Sequence, residues 1–191
     1  MTVQWQGKPP ALNPEHAKKT LLQVKQVLDK HNLTFWLIFG TCLGAIRENG
    51  FIDIDCDIDL GIKQKDLLPK LNILKEEFQS LGYETKFLNE PYKYDRMLKI
   101  DNGTRVDLVD WYKYGDYYVH PIEPDGKCHL FACEMFDNLT QIDFLGEKFN
   151  VPTPVTDFLE ILFPNWMVKD FTYDFRVASS CYKNFFQKMG I

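Results

Sequence analysis

Residues 35–62 read FWLIFGTCLGAIRENGFIDIDCDIDLGI, and the reading of this stretch decides the fold. Phe35-Trp-Leu-Ile-Phe39 is a compact run of strand-forming apolar residues that stops at Gly40-Thr41. A buried strand ending in a tight turn is expected there, followed by a short helical turn over Cys42 to Arg47. From Ile52 to Ile62 the chain alternates, with Ile52, Ile54, Cys56, Ile58, Leu60 and Ile62 on one side and Asp53, Asp55, Asp57, Asp59 and Gly61 on the other. A period of two belongs to a strand, because successive side chains point to opposite faces. The spacing predicts a second strand over 52–62 that carries its aspartates on one face and Cys56 toward the core.

Like charges a few ångströms apart in a partly dry site repel strongly unless they are neutralised. Hard divalent cations such as Mg²⁺ take carboxylate oxygens and keep positions open for water and substrate phosphates, so Asp57-x-Asp59 forms a natural half-site. The alternative is a half-exposed strand with its acids in water, against which stands the poor strand propensity of Asp. Gly40 and Thr41 let backbone N–H groups approach a phosphate at a helix start, or simply form a turn. Downstream, alternation in Arg105-Val-Asp-Leu-Val-Asp-Trp111 sets Asp107 apart from Val106 and Leu108. Asp107 is thereby a candidate third ligand or general base, and Asp110, on the other side, a structural residue.

Outward from this core, Asn13 and Pro14 start an amphipathic helix with apolar residues at Leu21, Val24 and Leu28, reaching about His31. Leu67 to Leu81 predicts a second helix closed by Gly82. Three strands are expected over Tyr83–Leu88, Arg96–Asp101 and Arg105–Tyr112, with a hairpin turn at Asp101-Asn-Gly-Thr104. Lys113 to Cys133 reads as irregular or short β structure. A further hairpin turns at Gly146, a helix starts at Thr153-Pro154, and an aromatic-rich tail runs to Ile191. The pattern is α+β, a single domain over residues 1–191 with an extended lead-in over 1–13.

Composition narrows the class. With 45% hydrophobic, 15% aromatic and 26% charged residues in 191, the chain can bury a proper core, which excludes disordered and low-complexity classes. A net charge of −5 without clustered Lys and Arg argues against nucleic acid as partner. The longest apolar run falls far short of the roughly 20 residues of a membrane span, and the N-terminus has no apolar signal-like region. Five cysteines without a CxxC suggest neither a disulfide framework nor structural zinc. A cytoplasmic location is expected.

The block Phe35 to Ile62, with its Gly-Thr-Cys-Leu-Gly-Ala-Ile-Arg47 and its acidic run, resembles the signature of the LicD/fukutin family, whose members typically read GTLLGAVR and then GFIPWDDDIDLG. The similarity continues through Arg105-Val-Asp107, Phe149-Asn-Val-Pro152, Phe158-Leu159 and Trp166-Met167, covering about residues 16 to 170. The resemblance implies a nucleotidyltransferase-type mixed sheet flanked by helices. It also implies a phosphotransferase of EC class 2.7, dependent on Mg²⁺ or Mn²⁺, moving phosphocholine or a polyol phosphate from a CDP-activated donor to a hydroxyl of a sugar or glycan. Position by position, it assigns Asp57, Asp59 and Asp107 to metal binding and catalysis and Gly40, Thr41 and Arg47 to the substrate. The family's Pro-Trp is Asp53-Ile54 here, and its middle acid is Cys56, with Asp55 retained beside the pair as a further substrate-binding residue.

Arg47 offers a bidentate fork to a donor phosphate, or a partner to Glu48 or Asp53. Lys99, on a strand expected to pair with that of Asp107, reaches a phosphate, balances the acids or faces solvent. His120 and His129 read as structural, and Trp111, Tyr112, Tyr114, Tyr117 and Tyr118 as core and edge aromatics rather than a sugar-binding wall. Two other functions compete: transfer of a nucleoside monophosphate from an NTP, and a catalytically inactive binding module that keeps the acids for structure.

Overall fold

A computed structural model describes residues 10–88, 97–122, 127–169 and 181–183. Residues 1–9 of the expected lead-in, Arg96, and most of the aromatic tail lie outside these. Helix α1 spans Pro14–Lys30, capped as its sequence suggests: the Asn13 side chain accepts the His16 N–H at 3.0 Å. Its buried face is Ala17, Leu21, Val24 and Leu28, the residues at helical spacing.

The decisive stretch folds as β1 (Phe35–Leu37), α2 (Phe39–Arg47) and β2 (Asp57–Lys63). Two expectations change here. The helix begins three residues earlier than Cys42, so Gly40 and Thr41 lie in its first turn rather than in a loop before it. The second strand begins at Asp57, not Ile52, and Asp55 N–H closes a turn on Ile52 O at 3.0 Å. Ile54 is exposed and Asp53 faces solvent, and among the described residues no strand pairs with residues 52–56. Cys56 is accordingly half-buried beside the acids, not in the core.

The expected second helix is interrupted. Gln64–Leu67 (α3), a 3-10 turn at Leu68–Lys70 and Leu71–Ser80 (α4) replace one continuous element, broken around Pro69, whose ring cannot continue the hydrogen-bond ladder. Next come β3 (Glu84–Leu88), β4 (Met97–Asp101) and β5 (Arg105–Tyr114), with Gly103 at φ +99° in the hairpin turn between the last two. Lys113 to Cys133, read as irregular or short β structure, holds two six-residue strands, β6 (Tyr117–Ile122) and β7 (Lys127–Ala132), paired antiparallel and followed by α5 (Cys133–Asp137). The His and Pro residues inside β6 hid its period. The hairpin β8 (Thr140–Phe144) and β9 (Glu147–Val151) turns at Gly146, α6 covers Val155–Leu162, and β10 (Cys181–Lys183) pairs with β7.

One mixed sheet results, in the order β1-β2-β5-β6-β7-β10, with β4 also on β5 and β3 outside β4. Among the described strands only β2 and β5 run parallel, in the register Asp57 with Arg105 and Asp59 with Asp107. Alternation then divides the sheet. Ile58, Leu60, Leu98, Ile100, Val106 and Leu108 are fully buried on one face, in the cluster that holds the apolar residues of α1 and α4. The acids lie on the other face.

Gly61 fixes how β1 meets β2 on that face. Trp36 is its cross-strand partner, and a Cβ on Gly61 would stand 2.4 Å from the indole Nε1. The indole stacks on Phe136 with ring centroids 4.9 Å apart, so it has nowhere to retreat. Gly61→Ala is expected to lower stability by about 1–3 kcal/mol through overpacking, read from urea denaturation. An unchanged midpoint would show that the indole is free to shift.

Candidate active site

The carboxylates meet because two strands run side by side in one direction. Asp57 and Asp59 on β2 and Asp107 on β5 each offer an oxygen within 4.8 Å of the others. Asp107 is buried, while Asp57 and Asp59 are half-buried at the strand ends. Across β5, Lys99 is the antiparallel neighbour of Asp107, and its ammonium lies 3.1 Å from Asp107 Oδ2. Arg105, two residues before Asp107 on the same side, pairs with Asp57 Oδ2 and holds its Nε 3.7 Å from Asp107 Oδ2. Three aspartates and two cations thus share one small patch.

Thr41 anchors α2 to this strand end, its Oγ1 accepting the Asp59 N–H at 2.9 Å. Asp59 O in turn accepts the Ile38 N–H at 3.2 Å. The buried Thr41 hydroxyl is a structural clamp on the residue beside Asp107. Gly40 makes room for a carboxylate of the chain itself: a Cβ there would come within 2.5 Å of Asp55 Oδ2. Asp55 Oδ1 accepts the Cys56 N–H at 3.1 Å, and Oδ2 is buried. Burial pushes the Asp55 carboxyl up to about 6, against the opposing pull of the Cys56 N–H and the Arg105 charge.

Arg47 sits apart from the cluster. Its Nε and Nη2 both donate to Glu48 Oε1, at 3.1 and 2.8 Å, and its Nη1 donates to the Trp166 carbonyl at 3.0 Å. Lys169 joins the same Glu48 at 2.6 Å, and these bonds hold the carboxyl of Glu48 below its ordinary range, Lys169 contributing most. The fork of Arg47 therefore ties the end of α2 to the segment after α6. Asp110 points to the face opposite Asp107, fully buried, and accepts a bond from Gln64 at 3.4 Å.

Two features went unread in the sequence. Arg105 stood in the quoted motif without a role, although its spacing of two from Asp107 puts both on one face. Phe39 has φ +45°, a left-handed conformation uncommon for a bulky residue, at the junction where β1 turns into α2. Its ring packs near Trp111, His120 and His129, with centroids 6.3, 6.5 and 5.4 Å away. Both imidazoles are buried, and burial, with His120 adding, pushes His129 down to about 3. Trp111 and Tyr118 are core residues, while Tyr117, at the start of β6, is 49% exposed.

Residues 32–154 match the model of the LicD/FKTN/FKRP nucleotidyltransferase domain. The chain belongs to this family. The ribitol-5-phosphate transferase FKTN of Mus musculus is 27% identical over 165 residues, 85% of this chain and 35% of that protein. The Homo sapiens protein of the same name is 25% identical over 163 residues, with 84% and 35% covered. An uncharacterised protein of Rickettsia typhi is 33% identical over 95 residues, 50% of this chain and 28% of its own. The chain spans about a third of the length of the curated relatives it matches. The lincomycin-bound crystal structure of the lincosamide antibiotic adenylyltransferase LnuA superposes with a TM-score of 0.50 at 15% identity, covering 74% of this chain and 83% of that one. That likeness shows the nucleotidyltransferase fold of the LicD-family domain. No described helix is long and apolar enough to cross a membrane.

Thr41→Val keeps the volume at this anchor but leaves the Asp59 N–H without its acceptor, so a loss of about 1–3 kcal/mol is expected in chemical denaturation. Thr41→Ser retains the hydroxyl and should cost distinctly less. Equal losses in the two variants would mean that the methyl group, not the hydrogen bond, holds α2 in place.

Proposed function

We propose that this domain is a divalent-metal-dependent transferase moving a phosphorylated small group, phosphocholine or a polyol phosphate, from a CDP-activated donor to a hydroxyl of a sugar or glycan. The observation that carries the reading is the meeting of Asp57, Asp59 and Asp107 on one face of a nucleotidyltransferase sheet, in a chain whose matched relatives include proteins named ribitol-5-phosphate transferase. Three carboxylate oxygens within 4.8 Å form a hard donor set that fits Mg²⁺ or Mn²⁺. Bound there, such a cation would stabilise the negative charge that develops on the departing CMP.

Within this reading the residues of the chain divide the work. Asp57 and Asp59 present their oxygens from alternate positions on β2, and Asp107 presents its own from β5 level with Asp59. Lys99, 30% exposed and paired with Asp107, holds an ammonium beside the carboxylates that a phosphate of the donor would meet. The acceptor oxygen attacks the phosphorus of the transferred group, the bond to the CMP oxygen breaks, and the hydroxyl proton passes to Asp107 or to water. Gly40 and Asp55 shape the start of α2 beside the donor, with the Asp55 carboxylate filling the space over Gly40. Arg47 acts from the far end of α2, holding the chain after α6 through Trp166.

Incubation with CDP-ribitol, CDP-glycerol, CDP-choline or an NTP, with sugar acceptors, Mn²⁺ or EDTA, and chromatographic detection of products tests the reading. CMP release that requires Mn²⁺ is the expected result. Pyrophosphate release from an NTP would indicate nucleotidyl transfer instead. Asp57→Asn, Asp59→Asn and Asp107→Ala should each lower CMP release by at least about 100-fold while the chain stays folded. Asp110→Ala should act on stability, by about 1–3 kcal/mol, because it removes a buried partner of Gln64. Turnover retained in the two β2 variants would remove Asp57 and Asp59 from the reaction.

A further inference from the structure

Arg105 occupies an unusual position for a cation in a site proposed to hold another. The parallel register sets it directly opposite Asp57, and its guanidinium Nη2 pairs with Asp57 Oδ2. Nη2 also lies 4.0 Å from Cys56 Sγ, the residue at the position of the middle acid in the resembling signature. Its Nε is buried and, at 3.7 Å from Asp107 Oδ2, too far for a hydrogen bond, so this donor has no acceptor among the described residues. The side chain is 25% exposed, which leaves it a path to the mouth of the patch.

The charge balance explains why it sits there. Asp57, Asp59 and Asp107 carry −3 and Lys99 with Arg105 carries +2, so these five groups sum to −1, with the Asp55 carboxyl beside Asp57. A divalent cation among the same carboxylates changes −1 to +1, which suits a pyrophosphate. It also competes with the guanidinium for Asp57. A guanidinium displaced from a carboxylate retains five donors in a planar fork whose other natural partner is a phosphate.

We infer that Arg105 is a two-position residue, paired with Asp57 while the carboxylates hold no cation and bound to the donor's phosphate once they do. Its departure from Asp57 makes cation binding and phosphate binding help each other, a coupling that is reciprocal by thermodynamic necessity. Cys56 permits the exchange: a third carboxylate at that position would hold the guanidinium more strongly than a thiol does. The inference rests on the metal reading above and adds to it an assignment for a residue outside the acidic triad.

Binding measurements on the full chain separate the two. Mn²⁺ affinity is read from the electron paramagnetic resonance signal of free Mn²⁺, and CDP affinity by calorimetry with and without saturating Mn²⁺, for wild type, Arg105→Gln, Arg105→Lys and Asp59→Asn. Far-UV circular dichroism confirms folding of each. Arg105→Gln should bind Mn²⁺ roughly tenfold more tightly, its competitor gone, yet bind CDP at saturating Mn²⁺ roughly tenfold more weakly. The mutual enhancement of Mn²⁺ and CDP seen in wild type should shrink with it. A residue that merely staples β2 to β5 would weaken both when removed, so weaker or unchanged Mn²⁺ binding, or unchanged CDP binding, overturns the inference. If Arg105→Gln does not fold, Arg105→Lys decides, with Mn²⁺ affinity kept and CDP binding at saturating Mn²⁺ about threefold weaker; unchanged CDP binding there overturns it equally. The metal reading fails by a different result: wild type binding no Mn²⁺, which takes the inference down with it, or Asp59→Asn binding Mn²⁺ as wild type does, with the response to Arg105→Gln still reported separately.

Discussion

The parallel pairing of β2 with β5 is the constraint on which the site depends. It aligns Asp59 with Asp107 and Asp57 with Arg105, so one ladder register fixes both the carboxylate cluster and its internal counter-charge. A slip by one residue would turn the acids into the apolar layer and Ile58 or Leu60 out of it. The register is held from the opposite face, where Ile58, Leu60, Val106 and Leu108 are fully buried. Apolar burial on one side thus stabilises an arrangement of like charges on the other that no isolated strand pair would keep.

Small residues bring the neighbouring elements close enough to serve this arrangement. Gly61 yields its side-chain space to the Trp36 indole, Gly40 yields its own to the Asp55 carboxylate, and Gly44 lies where a Cβ would meet the Gly50 carbonyl at 2.5 Å. Thr41 then joins α2 to the Asp59 backbone. Beneath the start of this helix, the Phe39 ring meets the buried His120, His129 and Trp111, so the strained junction between β1 and α2 rests on an aromatic layer. The contrast between Arg47 and Arg105 follows from place: one ends a helix and binds the half-buried Glu48 next to it, the other lies in the row of acids.

How much of this is legible in the chain itself depends on the range of the interaction. The alternation from Asp57 onward, the helical spacing after Pro14, the Asp101–Thr104 and Gly146 turns, and the separation of Asp107 from Asp110 all follow from local geometry, and the structure keeps them. The same alternation misleads over residues 52–56, because a period of two makes a strand only where a partner supplies hydrogen bonds. Over β6 and β7 composition left irregular and short β structure both open, and cross-strand burial of His120 and His129 decided for strands.

By itself the sequence determined which aspartates share a strand face, the family signature that surrounds them and the α+β plan, since all three are written in residue type and spacing, while the parallel register that joins Asp107 to Asp59 is tertiary. Only the tertiary structure decided that Gly40 shelters Asp55, that Arg47 binds Glu48 and that Arg105 pairs with Asp57. Those are contacts between elements distant in the chain or choices among several nearby partners. Their outcome depends on strand direction, register and the space left by neighbours, which no single stretch of residues contains.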